Sequence, residues 1–193
     1  MPRTPRSFLP DGPFHVMSRA IHDAHLFRSD VDRRRYLGLL QLVVERQGWR
    51  VSTFVLMDSH VHLLVTARTE ALSRGLWWLN WQYAEFFKER YDPHFGHVFG
   101  ARPKTKPIRH EAYFKAVVRY IARNPIGSRC AGPSDYRWSA HRAITGEAPR
   151  LPFLARDDLL AWFGSVDRYE AFVEGADAEH PCGPPSRRAD SNR

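Results

Sequence analysis

Val55-Leu56-Met57-Asp58-Ser59-His60-Val61-His62-Leu63-Leu64-Val65 reads as two apolar, strand-forming runs on either side of a two-residue polar break. Asp and Ser favour turns, so Trp49 to Met57 and His60 to Thr66 are expected to pair as an antiparallel hairpin with His60 near its tip. Side chains on a strand alternate between its two faces. His60 and His62 therefore share a face while Val61 points to the core, and two imidazoles on a common face form a metal clip.

Outward from the hairpin, Phe14-His15-Val16-Met17-Ser18-Arg19-Ala20 has strand length and partial alternation after the break at Asp11-Gly12-Pro13. Ser29-Asp30 can cap a helix, and Tyr36, Leu40, Val43 and Val44 recur at helical spacing until Gly48. A second helix is predicted over Ser73 to Tyr91, with Leu72, Leu76, Leu79, Tyr83 and Phe86 along one side and Asp92-Pro93 as its stop. A loop carrying His94, Gly96, His97 and Gly100 leads into the basic stretch Ala101 to His110, where Pro107 to His110 can add a short edge strand. His94 and His97 flank a glycine and read as loop residues rather than as ligands. Glu111 to Asn124 places Phe114, Val117, Val118 and Ile121 on one helical stripe, and Pro125 ends it.

The order β-α-β-β-α-β-α specifies an α+β fold. It is a ferredoxin-like split βαβ antiparallel sheet with helices on one face, the last helix on the other side, and a C-terminal helical extension. Residues 1–12 read as a basic N-terminal tail, 13–146 as one domain and 147–175 as the extension, with Asp157 to Gly164 and Val166 to Gly175 helical; 176–193 reads as a disordered tail.

With 29 Lys and Arg against 21 Asp and Glu, the 193-residue chain carries a formal charge of +8. That excess favours a polyanionic partner, nucleic acid before an anionic membrane surface. No apolar run is long enough to span a bilayer, and Met1-Pro2-Arg3-Thr4-Pro5-Arg6 lacks the apolar stretch of a secretory signal, so a cytoplasmic protein is expected. Cys130 and Cys182 lie far apart and suggest neither a disulfide framework nor a thiolate metal site.

At ~100° per residue, Tyr120 falls well off the centre of the last helix's apolar stripe, with Asn124 one turn further along nearly beneath it. A protonated phenol is a weak nucleophile, but a divalent cation nearby can polarise a phosphodiester for attack. Two histidines, a tyrosine and an amide together are suited to phosphoryl transfer. Taken singly, each has a plainer reading: an incidental His-x-His, a tyrosine packed at a helix edge, an asparagine ending a helix.

His60-Val61-His62, Tyr120-Ile121-Ala122-Arg123-Asn124-Pro125, the opening Phe14 to Arg19, and Ser134-Asp135-Tyr136-Arg137-Trp138-Ser139 together resemble the HUH-type single-tyrosine (IS200-like) transposases, and among them the REP-associated tyrosine transposases. The similarity spans roughly Phe14 to Gly146, in order. It implies that His60 and His62 bind Mg²⁺ or Mn²⁺, with Asn124 at the position proposed for a third ligand. It implies further that Tyr120 attacks a phosphate of single-stranded, hairpin-forming DNA to give a 5′-phosphotyrosine and a free 3′-hydroxyl. The implied activity is a metal-dependent single-stranded DNA endonuclease and strand transferase, acting as monomer or homodimer. The alternatives are a domesticated hairpin-DNA-binding protein without productive cleavage and, more remotely, a replication-initiator-like nicking enzyme. Asp58-Ser59 stands where the family usually has Pro-Asn, and Asp58 reads first as a turn residue and second as a support for the histidines.

Two surface features remain. Arg102, Lys104, Lys106 and Arg109, in the segment entering the tyrosine helix, are candidate DNA phosphate contacts. Trp77, Trp78 and Trp81 lie opposite the apolar side of their helix. Packing against the C-terminal segment with Trp162 and Phe163 is the expectation, and a dimer contact or a base-stacking platform the alternative.

Overall fold

A computed structural model describes residues 8–94 and 96–175. The basic residues 1–7 and the expected tail 176–193, with Cys182, lie outside the described residues.

The strands are β1 (Gly12–Arg19), β2 (Arg50–Leu56), β3 (His60–Ala67) and β4 (Lys104–Pro107). They form one sheet in the order β2-β3-β1-β4, with every neighbouring pair antiparallel. The helices are α1 (Asp30–Gln47), α2 (Thr69–Tyr91), α3 (Glu111–Arg123), α4 (His141–Thr145), α5 (Arg156–Ala161) and α6 (Val166–Glu174). This is the expected split βαβ arrangement: β3 is inserted between β1 and β2, and α1 makes the crossover.

Alternation divides the central strands. Phe14, Val16, Val61 and Leu63 are fully buried on the face under α1 and α2, the face on which the Asn80 amide of α2 reaches Ser18 Oγ of β1 at 3.4 Å. Tyr36, Tyr83 and Phe27 meet there edge to face or tilted, with centroids 5.3–5.5 Å apart. Contact between α2 and Trp49 requires Gly75, because a Cβ there would lie 2.3 Å from the Trp49 ring. On the opposite face α3 packs its stripe of Phe114, Val117, Val118 and Ile121, all buried.

Several local expectations are completed or corrected. The N-cap of α1 is Ser29, as expected, and what the sequence reading lacked is its partner Asp32, whose buried carboxylate accepts the backbone N–H groups of Arg28 and Ser29 at 2.8 and 2.7 Å and the Tyr91 hydroxyl at 2.7 Å. Helix α2 begins at Thr69, four residues before Ser73, because the Asp11 carboxylate accepts the Thr69 N–H at 2.7 Å. Phe87 is buried where Phe86 was expected, and Phe86 is half-buried. The edge strand is Lys104–Pro107 rather than Pro107 to His110, since β1 pairs with Lys104 through Pro107 while His110 becomes the N-cap of α3.

The outer edge of β2 is covered by the chain following α3. Leu56 N–H donates to the Trp138 carbonyl at 2.9 Å, Ala140 N–H to the Phe54 carbonyl at 3.0 Å, and Ala155 N–H to the Val51 carbonyl at 2.8 Å. An edge so paired presents no template for another strand. The extension is tied to α3 as well. Arg119 Nε donates to the Phe172 carbonyl at 2.6 Å, and Arg123 Nη1 to the carbonyls of Val173 and Glu174 at 3.0 and 3.1 Å. Two arginines of the tyrosine helix thus satisfy the last carbonyls of α6, the end of a helix that favours positive charge.

Candidate functional site

The site sits on the α3 face of the sheet and is assembled by strand register. Met17 of β1 is directly opposite His62 and Arg19 opposite His60 on β3, while His15 is opposite Lys106 on β4. Directly opposed side chains share a face, so His60, His62, His15, Met17, Lys104 and Lys106 all project toward α3. The two β3 imidazoles are nearly perpendicular, with ring centroids 5.1 Å apart.

Helix α3 lowers two polar side chains onto this pair. The Tyr120 hydroxyl lies 3.5 Å from His62 Nε2, and the Asn124 Oδ1 lies 3.3 Å from His60 Nε2. One turn separates Tyr120 from Asn124 and two residues separate His60 from His62, so helix rise and strand rise match closely enough to set one side chain over each histidine. All four predicted residues are brought together within a single chain.

His15, which no spacing in the sequence marks as a site residue, joins them. Its Nε2 is 2.9 Å from His62 Nδ1, and its ring packs edge-on against Tyr120 with centroids 5.7 Å apart. His15 is buried, and burial, with the Lys106 ammonium adding to it, pulls its imidazole down to about 4, so the ring is neutral near pH 7. Its signal in the sequence is faint: it is a polar residue in a strand whose neighbours are apolar, and only the β1–β3 register reveals what it faces. Ser59 Oγ takes the corresponding place for His60, 3.1 Å from its Nδ1.

Asp58 does more than turn the chain. Its carboxylate pairs with Arg33 of α1 at 2.5 Å and with Arg129 from the loop after α3, while its carbonyl accepts the N–H groups of Leu26 and Phe27. The hairpin tip carrying His60 is thereby tied both to α1 and to the chain that leaves Asn124.

Could these residues hold a divalent cation? His60 and His62 supply imidazole nitrogen and Asn124 a neutral amide oxygen, and among the described residues no cluster of three His, Cys, Asp or Glu is available to hold a metal. A donor set of two nitrogens and one oxygen suits Mn²⁺ and is acceptable to Mg²⁺ when oxygen donors from water and phosphate complete it. The residues fit such an ion.

The basic segment flanks the site as an edge strand rather than a loop. Lys104, Lys106, Arg102 and Arg109 are exposed, and Lys106 Nζ lies 4.4 Å from the centroid of the Tyr113 ring on α3. The tryptophans are elsewhere. Trp77 and Trp81 stack on each other at 5.7 Å on the outer surface of α2, 67% and 46% exposed. Their expected packing against Trp162 and Phe163 is not found: Trp162 stacks on Phe114 of α3 at 4.8 Å, and Phe163 packs on Tyr169 and Phe172. Trp78 instead lies under the Arg46 guanidinium of α1 at 4.9 Å. No described helix is long and apolar enough to cross a membrane.

A solved structure described as the REP-associated tyrosine transposase bound to a REP hairpin is similar in fold, with a TM-score of 0.62 at 17% identity, over 77% of this chain and 89% of that one. A candidate transposase from Deinococcus radiodurans R1 has a TM-score of 0.44 at 14% identity, over 62% of this chain and 95% of that one. No curated protein matches the chain significantly. The model of a sequence family described as "Transposase IS200 like" matches residues 11–124. That match runs from the first strand to the asparagine beneath the tyrosine and takes in more than half of the 193 residues, and the chain belongs to the IS200-like transposases.

Proposed function

We propose that this protein is a metal-dependent single-stranded DNA endonuclease and strand transferase that acts on hairpin-forming repeats, as a REP-associated tyrosine transposase in the cytoplasm. The observation that carries the reading is the Tyr120 hydroxyl 3.5 Å from His62 Nε2 on the sheet face that also holds His60 and Asn124. A helix-borne phenol beside two imidazoles and an amide has little to contribute to a core, and it is what nucleophilic phosphoryl transfer requires.

His60, His62 and Asn124 would hold Mg²⁺ or Mn²⁺, which when bound supplies charge compensation for the reacting phosphate. Tyr120 Oη forms the new bond to phosphorus and the bond from phosphorus to the 3′-oxygen breaks. The product is a 5′-phosphotyrosine and a 3′-hydroxyl; the phenolic proton passes to solvent and the leaving oxygen takes one up. The reverse reaction with another 3′-hydroxyl joins strands. His15 and Ser59 hold the histidine rings in place. Lys104 and Lys106, projecting from β4 on the same face, with Arg102 and Arg109 at its two ends, would contact the phosphates of the bound strand. The first solved structure compared, described as bound to a REP hairpin, supports hairpin DNA as the partner class.

The test is incubation with single-stranded hairpin DNA and Mn²⁺ followed by denaturing electrophoresis. Wild type should form a covalent protein–DNA adduct, and Tyr120→Phe should lose it by at least ~10³-fold, the scale of removing a nucleophile. Hairpin binding without any adduct from wild type would mean a domesticated binding protein instead.

A further inference from the structure

His15 and His62 face each other nitrogen to nitrogen at 2.9 Å, across neighbouring strands and out of solvent. Between two neutral imidazoles in this arrangement one nitrogen must carry hydrogen and the other a lone pair, for two hydrogens would collide and two lone pairs repel. The choice has a consequence on the far side of the His62 ring. If His15 Nε2 is the donor, neutral His62 carries its own hydrogen on Nε2, which points at Tyr120 and is then closed to a cation. If His62 Nδ1 is the donor, Nε2 presents a lone pair.

We propose that His15 is a positioning residue for the site: it accepts from His62 Nδ1–H, fixes that tautomer and ring angle, and so holds His62 Nε2 as the bare donor beside the Tyr120 hydroxyl. The inference deepens the metal-dependent reading above and rests on it. Three observations support it. A histidine that binds a metal through one nitrogen almost always donates its other N–H to a fixed acceptor, and His62 Nδ1 is 2.9 Å from His15 Nε2. The His15 ring is itself wedged against Tyr120, with centroids 5.7 Å apart, so it limits the rotation of nucleophile and ligand together. Ser59 Oγ lies 3.1 Å from His60 Nδ1, giving the second histidine an equivalent partner on the nitrogen away from Asn124.

The experiment uses the full chain and two substitutions. His15→Gln keeps an amide oxygen that can accept from His62 Nδ1–H; His15→Phe fills the space and cannot accept. Long-range ¹H–¹⁵N spectra of metal-free protein report the His62 tautomer, and titration with Mn²⁺ alone, read by electron paramagnetic resonance, reports affinity. Wild type and His15→Gln should both show hydrogen on His62 Nδ1 and bind Mn²⁺ within about 3-fold of each other. His15→Phe should move hydrogen to Nε2 and weaken Mn²⁺ binding about 10–100-fold, the range seen when such supporting partners are lost. Hydrogen on Nε2 in wild type overturns the proposal, as does a His15→Phe protein with unchanged tautomer and affinity. Should His15→Phe not fold, the wild-type spectrum alone decides. A wild-type protein that shows the Nδ1–H tautomer but binds no Mn²⁺ removes the metal-dependent reading and, with it, the role assigned to His15, whereas an Nε2–H tautomer with intact Mn²⁺ binding removes only the latter.

Discussion

The two faces of the sheet are built from the same strands and do opposite work. Under α1 and α2 the alternate residues Phe14, Val16, Val61 and Leu63 are 0–1% exposed and apolar throughout. Under α3 the intervening residues include His15 and His62, 6% and 2% exposed, with His60 and Tyr120 beside them. His15 and His62 are nearly as buried as the apolar residues of the other face; their chemistry is not the same. Burying apolar surface stabilises without specifying a partner, whereas buried imidazoles cost stability unless every nitrogen finds one. The α3 face meets that demand by bonding histidine to histidine, serine, tyrosine and asparagine, which is also an arrangement ready for chemistry.

The largest expected effect comes from exchanging one residue on each face. Leu63→Ala should cost about 2–5 kcal/mol of stability, the usual range for emptying a buried leucine site, and shift the urea midpoint accordingly. His62→Ala, on the adjacent residue, should cost about 1–3 kcal/mol, since it leaves the buried His15 Nε2 without its partner, while abolishing Mn²⁺ binding and adduct formation. Mn²⁺ binding and adduct formation lost equally with Leu63→Ala, or kept with His62→Ala, would erase the distinction between the faces.

Next in size is a pH dependence that belongs to the α3 face. His15 titrates near 4 in the folded protein against 6.5 for the unsupported side chain. The unfolded chain therefore binds the proton first as pH falls, and the stability present above about 6.5 is lost progressively down to about 4. Burial lowers His141 in the same direction, so it adds to the loss. On the order of 1–3 kcal/mol should disappear across that window, measured by chemical denaturation in EDTA. His15→Gln should flatten the profile; an unchanged slope would show that His15 is not the buried group that titrates there.

A smaller effect tests whether the C-terminal extension belongs to the α3 side. Replacing Arg119 and Arg123 together by alanine removes the donors to the last carbonyls of α6. A loss of about 1–2 kcal/mol is expected, with faster hydrogen exchange confined to Val166–Glu174 and α3. Exchange rates in α6 that do not change would mean that the aromatic contacts of Phe163, Tyr169 and Phe172 hold the helix by themselves. The smallest effect should come from Trp77→Ala with Trp81→Ala, within about 0.5 kcal/mol, since exposed side chains away from caps and cores rarely matter more. A large drop in melting temperature would reveal packing that their exposure argues against.

Much of this was legible in the sequence because it is periodic. The order of elements, the shared face of His60 and His62, and the place of Tyr120 and Asn124 off the α3 stripe follow from alternation on strands and 3.6-residue repeats on helices. The edge strand lies three residues before the stretch that the sequence suggests, because Lys104-Thr105-Lys106-Pro107 has no apolar pattern and is made a strand by its partner β1. Trp77 and Trp81 stay exposed instead of packing on Trp162 and Phe163, because hydrophobicity says that a side chain gains by burial, not that a surface is available to bury it.

By itself, then, the sequence determined the order of the elements, the fold class and the buried side of the long helices, since these depend on residues close together in the chain. Tertiary structure alone decided that His15 faces His62, that Asp58 ties the hairpin tip to Arg33 and Arg129, and that α6 is held by the arginines of the tyrosine helix. Those contacts join residues 25 to 71 positions apart, and strand register and packing angle, which no local pattern encodes, select which of the many possible pairs meet.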